Sequence, residues 1–93
     1  MAYGNFRNKS VRTYKLVANN KTTYIGSSND LSRRLEEHLQ AGKKFDRIVP
    51  TSPALSRQEA ERREARNLNS YREAMGQNPK YNKTFDGKFK KRP

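Results

Sequence analysis

The chain is short and strongly basic: its 93 residues carry 21 lysines and arginines against 9 aspartates and glutamates, a formal net charge of +12. A chain of this length forms one domain with a modest core, which excludes a second domain. Such a charge surplus favours a polyanionic partner, of which nucleic acid is the first candidate. Cysteine is absent, which excludes disulfides, thiolate metal sites and a cysteine nucleophile.

The apolar fraction is only 31%, a value that is also typical of chains that do not fold. Apolar residues nevertheless recur at strand or helix spacing over residues 13–75, and this periodicity predicts a folded middle. We expect a flexible segment over residues 1–10, a folded domain over residues 11–83 and a basic tail over residues 84–93.

The sequence contains no recognisable signal peptide and no apolar run of membrane-spanning length. Neither predicted helix is apolar enough to lie on a membrane surface. We therefore expect no membrane partner and a cytoplasmic protein, unless the chain is a module of a larger carrier delivered into another cell's cytoplasm.

Two antiparallel strands are predicted at the start of the domain. Residues 11–18 alternate as a strand, and Asn19-Asn20 is a tight-turn signal because asparagine tolerates the left-handed region. Residues 22–25 are β-branched or aromatic and are predicted to form the second strand. Gly26 is expected to end this strand, because glycine lets the backbone turn away. The pairing brings Tyr14 and Tyr24 onto neighbouring strands.

Two helices and a third short strand follow. Ser28, Asn29 and Asp30 are candidate caps for a helix that ends at Gly42 and whose inward face is predicted to carry Leu31, Leu35, His38 and Leu39. Residues 45–49 read as a strand. Ser56 and Glu59 form a capping box for a helix over residues 57–75, with a predicted inward stripe of Ala60, Glu64, Leu68, Tyr71 and Met75.

Three polar side chains occupy unusual positions in these helices. Arg34 lies on the inward face of the first helix, one turn from His38. Glu64 lies among apolar residues, where a carboxylate needs a cation or a metal to stay ionised. With the two tyrosines, these groups suit phosphodiester cleavage, which needs a base, a cation for the phosphoryl oxygens and a carboxylate-held metal.

The arrangement of motifs resembles the GIY-YIG nucleases, which include homing endonucleases, excision-repair nucleases, restriction enzymes and bacterial toxin domains. Tyr24-Ile25-Gly26 matches the YIG tripeptide, and the family's following pattern is matched by Ser27, Ser28, Asp30, Leu31, Arg34 and His38. Tyr14 stands ten residues upstream in the GIY position, although Arg12 and Thr13 replace the usual Gly and Ile. Downstream, the family's E-A-x-x-x-E and P-x-[YL]-N patterns are matched by Glu59, Ala60, Glu64, Pro79, Tyr81 and Asn82.

The resemblance implies an α+β domain, a three-stranded antiparallel sheet flanked by helices, that acts as a metal-dependent endonuclease. Its expected substrate is DNA, with RNA as the second candidate. Tyr24 would be the general base, assisted by Tyr14, with a pKa lowered by neighbouring positive charge. Arg34 would bind the scissile phosphate and His38 would assist by a hydrogen bond. Glu64 would be the protein ligand of Mg²⁺, or of another divalent cation such as Mn²⁺.

Other residues and roles stay open at this point. Arg12 and Arg33 are candidate substrate contacts, and Asn82 would either brace the site or touch the substrate backbone. A one-turn slip would exchange Glu64 with Glu59 or Glu61 as the metal ligand. The alternative function is a non-catalytic basic module that binds nucleic acid. A compact nuclease core of this kind also resembles toxin modules, which would need an acidic immunity protein as partner.

Overall fold

The computed structural model describes residues 9–82, and within them the predicted α+β fold class is confirmed. The elements are β1 (Arg12–Ala18), β2 (Lys21–Ser28), α1 (Leu31–Gln40), β3 (Arg47–Pro50) and α2 (Arg57–Met75). The sheet has the order β2-β1-β3, and both pairings are antiparallel. Residues 1–8 and 83–93 lie outside the described residues, and with them lie most of the expected N-terminal segment and all of the expected basic tail.

The turns and helix ends follow the local sequence closely. Asn19 and Asn20 have φ angles of 53° and 64°, so the β1–β2 connection uses the left-handed region that asparagine tolerates. Asp30 is the N-cap of α1, where its carboxylate accepts from the Arg33 N–H. Ser56 and Glu59 form the predicted capping box of α2, and Gly76 ends that helix with a φ of 77°.

Two strand predictions were wrong in detail. Gly26 does not end the second strand, because β2 continues through Gly26 to Ser28 and pairs Gly26 with Tyr14 of β1. The third strand begins at Arg47 rather than Phe45. Asp46, just before it, instead holds the hairpin: its N–H donates to the Val17 carbonyl and its carboxylate accepts from the Asn19 N–H.

The inward faces of both helices are shorter than predicted. His38 of α1 and Ala60 and Leu68 of α2 are buried, whereas Leu39 and Met75 are each 56% exposed. Leu39 follows His38 directly and is therefore turned about 100° from the buried face. Met75 is the last residue of α2, and one turn earlier the hydroxyl of Tyr71 donates to the Thr22 carbonyl of β2.

The core is built on both faces of the central strand β1. Thr13 and Tyr14 are consecutive, so they point to opposite faces, and both are fully buried. Buried apolar side chains from β1, β2, α2 and the residue before β1 complete this core: Val11, Leu16, Val17, Ile25, Ala60 and Leu68. Neither α1 nor α2, the helices of residues 9–82, has the length and apolar character needed to cross a membrane.

The segment after α2 covers the outer edge of β2. The Tyr81 N–H donates to the Thr23 carbonyl at 2.8 Å. The side-chain amide of Asn82 then pairs with both backbone groups of Ile25, accepting from its N–H at 2.8 Å and donating to its carbonyl at 3.0 Å. Asn82 thus replaces the peptide group of a neighbouring strand, which satisfies an otherwise open edge.

We expect Asn82→Ala to lower the free energy of unfolding by about 1–3 kcal/mol, because it leaves two part-buried backbone groups of Ile25 without their partner. Urea unfolding followed by circular dichroism measures this change. Asn29→Ala, a truncation of an exposed asparagine, serves as the matched control. An equal effect of the two substitutions would show that Asn82 does not hold the edge of β2.

Candidate active site

Three aromatic rings meet on one face of the sheet. Tyr14 lies opposite Gly26, and Tyr24 lies opposite Leu16 in the β1–β2 register, so the two phenols share a face. The ring centroids of Tyr14 and Tyr24 are 6.0 Å apart, and His38 of α1 lies 5.8 Å from Tyr14 and 4.8 Å from Tyr24. The structure therefore brings together three of the predicted catalytic residues.

Gly26 makes this approach possible. A Cβ atom on Gly26 would lie 2.7 Å from Cε2 of Tyr24 and 2.9 Å from the hydroxyl oxygen of Tyr14. Both distances are shorter than a van der Waals contact, so one ring would have to move. The glycine of the YIG tripeptide is needed here for space beside the phenols and not for a turn.

Tyr14 and His38 form a buried hydrogen bond between neutral groups. The Tyr14 hydroxyl oxygen lies 2.7 Å from Nε2 of His38. Burial, together with the charge of Tyr24, raises the pKa of Tyr14 well above its usual range. Burial and the positive charges of Lys43 and Arg34 lower the pKa of His38 to about 4. Near neutral pH Tyr14 therefore donates, Nε2 of His38 accepts, and Nδ1 carries the imidazole proton.

The prediction that positive charge lowers the pKa of Tyr24 was wrong for the protein's own groups. Burial raises this pKa, and the opposing effect of Arg34 is smaller. The carboxylate of Glu64 raises the pKa further. Tyr24 is consequently protonated at neutral pH unless a further positive charge comes close to it.

Arg34 lies beside this cluster at the edge of the buried region. Its Nη1 donates to the Glu37 carboxylate at 2.9 Å, and its side chain is 32% exposed. Its charge nevertheless acts on both tyrosines, so the guanidinium can face the phenols and solvent together. Arg33 is exposed and pairs with Glu37 at 3.5 Å, and Arg12 is exposed at the start of β1.

Glu64 reaches the site from α2. Its carboxylate accepts from the Ser27 hydroxyl of β2 at 2.7 Å, and it is close enough to raise the pKa of both tyrosines. Glu59 is engaged with Ser56 in the capping box, and Glu61 is exposed. Of the three glutamates, Glu64 is therefore the one placed beside the phenols.

The oxygen donors beside the phenols are of the kind that hold a divalent ion such as Mg²⁺. Within residues 9–82 no group of three or more histidine, cysteine, aspartate or glutamate side chains could hold a metal. Mg²⁺ commonly uses one or two carboxylates and completes its shell with water and substrate phosphate. The carboxylate of Glu64 meets that requirement.

Two neighbours of the site had not been predicted from the sequence. Ser27 orients Glu64, although the sequence showed only its place in the family pattern. Lys43 lies with its Nζ 5.4 Å from the ring centre of Tyr24, although its position after α1 suggested only a favourable interaction with the helix dipole. Asn82 has both side-chain amide groups bonded to Ile25, which supports bracing rather than substrate contact.

The fold is a small α+β domain, and comparison with protein families identifies the class of protein to which it belongs. The family profile described as GIY-YIG catalytic domain matches residues 9–82, so the chain belongs to the GIY-YIG family of nucleases. Its reaction class is therefore the hydrolysis of phosphodiester bonds in nucleic acid. Neither curated proteins nor solved structures gave a match.

We expect His38 to titrate with a midpoint near pH 4, against its ordinary value of 6.5. Because the unfolded chain takes up this proton first, the contribution of His38 to stability is complete above about pH 6.5 and declines as the pH falls towards 4. His38 is the one histidine of the chain, so NMR of its ring protons reports the titration directly.

Tyr14→Phe is the control for the His38 titration, since it keeps the ring and removes the hydroxyl that donates to Nε2. We expect the midpoint to rise in this variant. A wild-type midpoint at or above the ordinary value would contradict the buried neutral pair.

Proposed function

We propose that the chain is a magnesium-dependent endonuclease whose catalytic groups are Tyr14, Tyr24, Arg34, His38 and Glu64. The proposal rests mainly on two oppositely charged side chains that lie close enough to act on both phenols. The guanidinium of Arg34 and the carboxylate of Glu64, from different helices, both act on the pKa of Tyr14 and of Tyr24. A cation, a metal-binding carboxylate and two hydroxyls within such reach are the groups that phosphodiester hydrolysis needs.

In this proposal each residue acts at a defined point of the reaction. Arg34 binds the non-bridging oxygens of the scissile phosphate and stabilises the charge that grows there. Positive charge at the site lowers the pKa of Tyr24, so that its phenol gives its proton to solvent; the phenolate then holds the attacking water and accepts a proton from it. Tyr14 and His38 fix the position of the phenols through their hydrogen bond.

Glu64 would hold the divalent ion, with Ser27 orienting the carboxylate. With Mg²⁺ or Mn²⁺ bound, the site would gain Lewis-acid stabilisation of the departing oxygen and positive charge near the phenols. Water attacks phosphorus, the bond from phosphorus to the leaving sugar oxygen breaks, and that oxygen takes up a proton from solvent.

DNA is the substrate that we propose before RNA, because homing, excision-repair and restriction nucleases of this family act on DNA. A net charge of +12 supports binding to either polymer. The cleavage experiment therefore tests both DNA and RNA.

We expect the purified protein to cut plasmid DNA with Mg²⁺ and not with EDTA. Glu64→Gln keeps the side chain's shape and removes its charge, and we expect it to lower the rate by on the order of a hundredfold or more. Glu61→Gln makes the same change on an exposed side chain of α2 and should leave the rate unchanged.

Total RNA, tested in parallel, identifies the polymer that is cut. Equal rates for the Glu61 and Glu64 variants would contradict the role of Glu64. A wild-type protein that binds both polymers and cuts neither would favour the alternative, a non-catalytic nucleic-acid-binding module.

As biological setting we propose a toxin module that acts in the cytoplasm of a target cell and is neutralised by an acidic immunity protein. The basic surface supports this partner, since opposite charge speeds and orients association. Induced expression in a bacterium lacking such a partner should stop growth, and the Glu64→Gln protein should be tolerated. Equal tolerance of both proteins would contradict the toxin role.

A further inference from the structure

A cluster of lysines surrounds an aromatic ring beside the catalytic phenols. Nζ of Lys43 lies 5.4 Å from the ring centre of Tyr24 and 5.9 Å from that of Tyr81. Nζ of Lys80 lies 5.3 Å from the ring centre of Tyr81. Lys43 thus connects the catalytic Tyr24 to a second aromatic residue that the proposed mechanism does not use. We call Lys43, Lys44, Lys80 and Tyr81 the Lys43–Tyr81 patch.

The patch is fixed to the fold by backbone hydrogen bonds. The Tyr81 N–H donates to the Thr23 carbonyl of β2 at 2.8 Å, and the Tyr81 hydroxyl accepts from the Lys44 N–H at 2.9 Å. The ring is therefore held between the edge strand and the segment that follows α1. Because the two lysines contact a fixed ring, their ammonium groups are partly ordered before any ligand binds.

No acidic side chain neutralises these ammonium groups among the described residues. Lys9, Arg33 and Arg34 pair with glutamates, whereas no ion pair between described residues involves a lysine of the patch. The carboxylate nearest to the patch in sequence, that of Asp46, accepts from the Asn19 N–H of the hairpin turn. Uncompensated positive charge next to a phosphodiester-cleaving site attracts a polyanion.

A second basic cluster, on α2, differs in this respect. Arg62, Arg63 and Arg66 line a surface depression together with Glu59 and Leu55. The charge of Arg62 acts on the Glu59 carboxylate and lowers its pKa, so this surface contains charges of both signs. It has no aromatic contact to the catalytic phenols.

We propose that the Lys43–Tyr81 patch binds the phosphodiester backbone next to the scissile phosphate, so that the bound strand passes from Arg34 over Tyr24 to Lys80. The inference rests on the nuclease function proposed above and adds the path of its substrate. Lys43 and Lys80 contact phosphates and confer affinity without base specificity. Tyr81 positions the two ammonium groups.

The test is binding of a short fluorescein-labelled duplex DNA by fluorescence anisotropy, in EDTA and across a range of salt concentrations. For Lys43→Ala/Lys80→Ala we expect Kd to rise on the order of tenfold at low salt, and the log-log salt slope to fall in magnitude by about two. Lys43→Arg/Lys80→Arg keeps both charges and should retain the wild-type slope. Thermal unfolding checks that each variant is folded.

Arg62→Ala/Arg66→Ala is the matched control, because it removes the same charge from the cluster on α2. A smaller loss of affinity in this control supports the patch. Equal losses in the two double variants would show that affinity follows net charge alone and would overturn the proposal, as would an unchanged salt slope in the lysine variant. EDTA prevents metal-dependent cleavage, so the binding assay does not depend on nuclease activity. If the proposed nuclease function is wrong, the wild-type protein will cut neither polymer in the cleavage assay with Mg²⁺, whatever the binding result.

Discussion

The candidate site depends on three consecutive residues of β2, each of which contacts a different part of the chain. The backbone of Ile25 pairs with the side chain of Asn82. Gly26 leaves room for the rings of Tyr14 and Tyr24. Ser27 donates to Glu64 of α2. A shift of β2 by one residue would exchange the two faces of the strand and break all three relations together.

This arrangement places buried phenols close to charged groups with opposite effects. Burial favours the protonated tyrosines and the neutral His38, and Glu64 strengthens the effect on the tyrosines. A phosphate bound beside them adds more negative charge and makes ionisation of a phenol harder still. In the proposed mechanism Tyr24 therefore needs positive charge in addition to that of Arg34 before it can lose its proton. The carboxylate of Glu64 and the phenol of Tyr24 are thus linked electrostatically, although they lie on different elements.

The parts of the structure that depend on neighbours in sequence could be predicted. The capping box at Ser56 and the asparagine turn at Asn19 follow from local hydrogen bonding and backbone preference. The space beside Gly26 could not be predicted, because it is set by a ring from another strand. The direction of the Tyr24 pKa was mispredicted because charge can be read from a sequence, whereas the extent of burial that outweighs it depends on packing.

Polar side chains with hydrogen-bond partners occupy core positions that apolar residues would occupy in a less charged domain. Thr13 is fully buried, and its hydroxyl and N–H bond to Thr51 and Ser52 beyond β3. Within residues 9–82 every buried side-chain nitrogen or oxygen has a hydrogen-bond partner. With only 31% apolar residues in the chain, the domain has little hydrophobic surplus to offset an unpaired buried group. The Tyr14–His38 and Ser27–Glu64 hydrogen bonds of the candidate site therefore also stabilise the fold, and substitutions at these residues are expected to lower stability together with any activity.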